Sequence, residues 1–161
     1  MEIKKATAGQ LPAILELYGN AREFMREHGN PNQWYDFYPE KELLEEDIRE
    51  GRLYVMEDEQ GIHGAFAFFQ WEDPTYAVIE DGAWLSDAPY GTIHRIAGDG
   101  VTKGILRAAV AFCSAFNPHL RIDTHHDNKV MQGAILKNGF QECGVIYVED
   151  GSPRIAYELL P

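Results

Sequence analysis

The chain has 161 residues, two cysteines and a formal net charge of −12. That length suits a single domain, residues 1–161, whose core needs no disulfide or metal staple. The negative average field opposes nucleic acid and favours a cationic partner, and 45% hydrophobic with 12% aromatic residues excludes a disordered chain.

"MEIKKAT" (1–7) predicts a short first strand, and no apolar stretch of a secretory signal follows it. No apolar run reaches membrane-spanning length, so a cytoplasmic protein without membrane partners is expected. Residues 9–29 predict a helix, because Leu11, Ile14, Leu15, Tyr18, Ala21 and Met25 recur at three- and four-residue steps. Pro12 fits only its first turn, and Gly29 stops it. "NPNQWYDFYP" (30–39) reads as an aromatic loop, and residues 39–51 as an acidic helix between Pro39 and Gly51. "RLYVMED" and "IHGAFAFFQW" predict a hairpin across the turn "EQG". Residues 73–91 form an irregular crossing segment. "GTIHRIAGD" is a strong strand. Residues 100–116 turn from loop into helix, with Leu106, Ala109, Val110 and Cys113 on the apolar stripe. "HLRIDTH" predicts a strand, "NKVMQGAILKNG" a helix closed by Gly139, and "FQECGVIYVED" and "PRIAYELL" two last strands. The order β-α-α-β-β-β-α-β-α-β-β mixes an antiparallel hairpin region with at least one parallel βαβ step. Cys113 and Cys143 match no metal-ligand spacing and read as buried free thiols.

"HRIAGDGVTKGILRAAV" (94–110) ends a strand, turns through glycines and starts a helix. Gly98, Gly100 and Gly104 let backbone N–H groups converge, and the helix start adds partial positive charge. Lys103 and Arg107 lie on or near the first turn. The segment is a candidate pyrophosphate cradle or a plain structural turn. It is no Walker A loop, which requires Gly-Lys-Ser/Thr, and its glycine spacing departs from the dinucleotide fingerprint.

Strand, Gly-rich turn, helix, strand, Asn, helix, then "NGF" and two strands together resemble the GCN5-related N-acetyltransferase (GNAT) family. The resemblance runs from "IKKATAGQLPAILELY" to the last strand; "IHRIAGDGVTKGIL" and "RIDTHHDNKVMQGAILKNGF" carry most of it. It implies an α/β, GNAT-like single domain with a mixed central sheet of about six or seven strands, a parallel splayed strand pair and about four helices. It implies acetyl-CoA as co-substrate and an amine acceptor, a small molecule or peptide, expected to be cationic from the chain's charge. A bulge near Arg95–Gly98 would present the backbone of Ile96, Ala97 and Gly98 to the cofactor. The amides of Val101, Thr102, Lys103, Gly104, Ile105 and Leu106 would grip its pyrophosphate, and Asn128 would contact the cofactor arm. Three positions depart from the family pattern. Val101 and Leu106 stand at the outer positions of the loop signature, where Gly104 alone matches, and Ile135 replaces the family's frequent acid tyrosine. Family members often dimerise through terminal edges such as "YELLP", so a homodimer is expected by analogy.

"RIDTHHDN" (121–128) is the densest chemical cluster. Strand alternation puts Arg121, Asp123 and His125 on one face and Leu120, Ile122 and Thr124 on the other. Three readings stay open. A metal site would combine Asp123 and His125 with His94, a set with no further local ligand. A structural reading pairs Asp123 with Arg121 or Arg95. A catalytic reading makes His94 or His125 a base oriented by Asp123. In the resembled fold the pantetheine enters between the two splayed strands, which favours a functional role for His94, Asp123 or His125. An amide near Ala97 would serve the developing oxyanion, and Tyr147 is the nearest hydroxyl to reprotonate the leaving thiolate. Trp34, Tyr35, Phe37, Tyr38, Trp71 and Tyr76 would line the acceptor side or cover the core. Glu72, Asp73, Glu80 and Asp81 would attract a cation or form a solvated face. A cofactor-binding module without turnover and a His/Asp metal hydrolase are the alternatives to the acetyltransferase.

Overall fold

The computed structural model describes residues 1–161. Seven strands and four α-helices follow the predicted order: β1 (Glu2–Lys5), α1 (Leu11–Glu27), α2 (Lys41–Arg49), β2 (Leu53–Asp58), β3 (Gly61–Phe69), β4 (Gly91–Gly98), α3 (Ile105–Ser114), β5 (Leu120–Thr124), α4 (Lys129–Lys137), β6 (Gln141–Tyr147) and β7 (Pro153–Leu159). The strands form one open mixed sheet in the order β1-β2-β3-β4-β5-β7-β6. β4 and β5 pair parallel, with Gly91 opposite Leu120 and Thr92 opposite Arg121. The chain divides into two compact units, 1–68 with 94–105, and 69–93 with 106–161.

In the first unit, β1, β2 and β3 pair antiparallel. α1 carries Pro12 in its first turn, where no intrahelical donor is lost, and ends before Gly29 at φ +78°. Its buried face centres on Ile14, Leu17 and Tyr18; Met25 at the predicted stripe's end is only half-buried. These residues pack with Leu44 of α2, Leu53 and Val55 of β2, Ala65 of β3 and Ala97 of β4. Gly64 and Gly98 leave room on adjacent strands for the Ile105 side chain, which lies 3.1 Å from where a Cβ would stand at either. Two strand glycines thus seat the first residue of α3.

In the second unit, β7 lies antiparallel to both β5 and β6. The predicted stripe of α3 is buried at Leu106, Ala109, Val110 and Cys113. The irregular segment packs Tyr76 and Tyr90 against Ile146 and Ala156, and bridges β6 through Glu80 and Val145. Cys113 and Cys143 are free and buried. Burial pushes the Cys143 thiol up to about 11 and Cys113 higher still, so both remain unreactive thiols near neutral pH.

Candidate active site

β4 leaves regular strand geometry at Arg95, whose φ is +52°. A side chain with a Cβ disfavours this left-handed region, so the surroundings must impose it. Tyr18, fully buried, donates its hydroxyl hydrogen to the Arg95 carbonyl at 2.6 Å. Burial pushes the Tyr18 hydroxyl far above its ordinary value, which keeps that proton in place. From α2, the fully buried Asp47 accepts from Arg95 Nη2 at 2.8 Å and Nε at 3.1 Å, and from Arg52 Nε at 2.7 Å. One carboxylate between two guanidiniums and one phenol on the carbonyl hold the kink. The kink falls where the family resemblance implies a bulge, followed by Ile96, Ala97 and Gly98; His94 precedes it, half-buried.

The loop after β4 is organised by Asp99. Its Oδ1 accepts from the amides of Val101 at 3.0 Å and Thr102 at 2.7 Å, and its Oδ2 from the Thr102 hydroxyl at 2.8 Å. Burial would raise the Asp99 carboxyl; donation from the Thr102 and Val101 amides and from His63 outweighs it and holds the group well below the usual carboxylate range. Two of the six amides predicted to be open are therefore occupied by the protein itself. The remaining donors sit at the start of α3, where the amides of Ile105 and Leu106 belong to a helical turn that has no earlier carbonyl to bond. Gly104 enters that turn at φ +79° with open space around it. Lys103 and Arg107 are exposed beside it. A helix start of this kind, with two cations beside it, has the polarity to receive an anion. The donor set fits a diphosphate at Gly104–Leu106 and not at Val101 and Thr102.

Most of "RIDTHHDN" holds structure together. Arg121 lies between the rings of Trp84 and Tyr90, at 3.9 and 4.0 Å, and donates to Glu158 at 2.7 Å and to the Ser86 carbonyl at 2.8 Å. Glu158 also meets His119 Nε2 at 2.6 Å and accepts from the Leu85 amide at 2.6 Å. Asp123 accepts from the buried Tyr76 hydroxyl at 2.6 Å. Glu158 is thus a carboxylate partner of Arg121, and Asp47 a carboxylate partner of Arg95. His125 is buried just past β5, and its Nδ1 accepts from the Asp127 amide at 3.0 Å. Burial, with Arg154 and His126 nearby, lowers its tendency to protonate. Its neutral ring consequently carries the proton on Nε2, and the nitrogen with the lone pair is occupied. Asn128 caps α4, its Oδ1 accepting from the Met131 amide at 3.0 Å. The metal-type grouping in this stretch is His125, His126 and Asp127, whose ligand atoms lie within 4.8 Å of one another.

Tyr147 is exposed on β6 and donates to Glu80 at 3.0 Å; that bond raises its hydroxyl above the ordinary value. The predicted aromatic wall divides. Tyr76 is buried and Trp34 packs on Tyr18 at 5.8 Å, so both serve cores. Tyr35, Phe37 and Trp71 are exposed. Asp73 is a capping residue, accepting from the Thr75 amide and hydroxyl. Sequence reasoning passed over Tyr18 as anything but apolar, and missed Asp47, Asp99, His63 and Glu158 altogether. Asp99 had a local signal, an acid just before a Gly-containing turn. The others had none.

No protein-family model matches the sequence, and no curated protein matches it. Solved structures do. An acetyltransferase of the GNAT family from Streptococcus agalactiae 2603 is 28% identical, superposes with a TM-score of 0.87, and is covered over 95% of its length by 99% of this chain. A Staphylococcus aureus Mu50 protein assigned as an acetyltransferase is 27% identical with a TM-score of 0.70, over 98% of this chain and 97% of its own. A GNAT-family acetyltransferase from Listeria monocytogenes 4b F2365 shares the fold at 19% identity, with a TM-score of 0.68 over 98% of this chain and 94% of its own. The likeness supports acetyl transfer as the class of chemistry.

Proposed function

We propose that this chain, which has the fold of the GCN5-related N-acetyltransferases, moves an acetyl group from acetyl-CoA to an amine by direct attack. The observation that carries the reading is the clamped left-handed kink at Arg95, followed by a helix start with unfilled donors, on a sheet that matches acetyltransferases along the whole chain. Acetyl-CoA supplies an activated thioester. Gly104, Ile105 and Leu106 hold its diphosphate through their amides, assisted by Lys103 and Arg107. Backbone groups of Ile96, Ala97 and Gly98 align the arm, and an amide near Ala97 donates to the acyl oxygen.

An acceptor amine arrives as an ammonium and must lose a proton before it attacks. His94 is the base we assign, from its half-buried place one residue before the kink at Arg95. The acceptor is a small-molecule or peptide amine of cationic character, in keeping with the net charge of −12. The aromatic loop shapes one pocket for it, about 550 Å³, lined by Leu15, Arg22, Asp36, Phe37, Pro39 and Glu40. Tyr147 is assigned as the hydroxyl that reprotonates the thiolate.

The test is thiol release from acetyl-CoA across a panel of amines. Release that depends on both substrates supports the reading. Binding of acetyl-CoA without release on any amine replaces it with the second reading, a cofactor-binding module, which the occupied Val101 and Thr102 amides favour.

A further inference from the structure

We infer that His63 is a positioning residue for the acyl-CoA diphosphate: as an imidazolium between Asp58 and Asp99, it fixes the loop carboxylate and offsets part of its charge. The inference rests on the acetyl-CoA reading above. His63 stands on β3, with Nδ1 2.9 Å from Asp99 Oδ2 and Nε2 2.7 Å from Asp58 Oδ1. Both ring nitrogens thus face carboxylate oxygens. Each contact is a hydrogen bond only if the nitrogen donates, so both nitrogens carry protons and the ring is cationic. The backbone reinforces the arrangement, since the Asp99 amide donates to the His63 carbonyl at 2.9 Å. The charged groups facing the ring are Asp58 from β2 and Asp99 after β4, and the N-terminal ammonium of Met1 acts on Asp58.

Asp99 is an odd residue to find here. A carboxylate beside a diphosphate site repels the ligand, yet this one also shapes the turn that delivers the chain to Gly104 and α3. The imidazolium eases the conflict, because it leaves the Asp99 oxygens on the Val101 and Thr102 amides while halving the charge of the Asp58–Asp99 pair, from −2 to −1 for the set. The Asp58 and Asp99 bonds raise the tendency of His63 to hold its proton above that of an ordinary histidine. As pH rises through that raised value, the proton leaves and a lone pair faces a carboxylate. Asp99 then either swings off the loop amides or adds an uncancelled charge, and both weaken the hold on a diphosphate. Below the ordinary histidine range the effect is fully present.

Calorimetric titration from about pH 6 to 9 tests this, with CoA as one probe and pantetheine, which lacks the diphosphate, as the other. Wild-type affinity for CoA should fall about tenfold across the His63 transition, the scale of one charge-assisted hydrogen bond at a part-exposed site. His63→Gln should bind CoA weakly at every pH, without the transition. Asp99→Asn, which keeps the turn acceptor and removes the charge, should bind at least as tightly as the wild type and also lack the transition. Pantetheine affinity should not change in either variant. A purely structural His63 would make both variants weak toward both probes, and that result would overturn the inference. So would a wild-type pH profile that matches His63→Gln. Wild-type protein that binds no CoA at any pH would overturn the acetyl-CoA reading and the inference with it. If His63→Gln does not fold, the comparison of wild type with Asp99→Asn decides.

Discussion

The hydroxyl of Tyr18 in α1 donates to the carbonyl of Arg95 in β4 across 2.6 Å, joining residues far apart in sequence at the one left-handed residue of that strand. Removing the hydroxyl removes the partner of a part-buried carbonyl and nothing else. Tyr18→Phe should cost about 1–3 kcal/mol in urea unfolding. It should also weaken CoA binding, since the kink loses one of its restraints. Full stability with full CoA affinity would show that the kink holds itself.

Asp47 is a further restraint, with two guanidiniums on one fully buried carboxylate. Asp47→Ala leaves Arg95 and Arg52 without it, and breaking a buried charge pair of this type costs about 3–5 kcal/mol. Denaturant midpoints read the loss directly. A cost near that of a surface pair, under about 1 kcal/mol, would mean that water reaches the cluster.

Glu158 determines the acid side of the stability profile. Burial would raise its carboxyl, but donation from Arg121 and His119 outweighs this and holds it below the ordinary glutamate value. A group depressed in the folded state contributes fully above its unfolded-state value and loses that contribution as pH falls through the folded one. Stability should therefore drop on acidification below the ordinary glutamate range, and Glu158→Gln should show a lower but flatter acid limb. Equal slopes in the two proteins would assign the acid sensitivity elsewhere.

His94 and His125 separate under kinetics. His94→Gln should lower kcat about 10²–10⁴-fold with little change in KM for acetyl-CoA, the usual range for a lost general base. His125→Gln should leave most of the kcat, because its acceptor nitrogen bonds Asp127. The reverse pattern would move the base to His125.

Gly104 tests the helix start. At φ +79° with open space around it, Gly104→Ala meets no clash but takes on about 1–2 kcal/mol of left-handed strain. If its amide holds the diphosphate, CoA affinity should fall by more than stability does. Saturating CoA, at about 100 times its Kd, should add about 2.7 kcal/mol to the wild type and less to the variant. An equal gain in both would place the diphosphate elsewhere.

The order of all eleven strands and helices was legible in the sequence. Helical and strand periodicities, Pro12 at a helix start and Gly29, Gly51 and Gly139 at helix ends act over a few residues each, and such local patterns survive without knowledge of the fold. The stripe of α3 and the buried thiols were legible for the same reason, whereas the irregularity near Arg95 was expected only from the family resemblance. The partners of the charged residues were not. Arg95 meets Asp47, Arg121 meets Glu158, and Asp99 holds two loop amides and His63, each choice made through space. The placement of β7 between β5 and β6 brings Glu158 opposite Arg121, and no local pattern encodes that register. Backbone conformation follows from short-range sterics and patterning; which buried charge neutralises which depends on desolvation and geometry that exist only once the chain has folded.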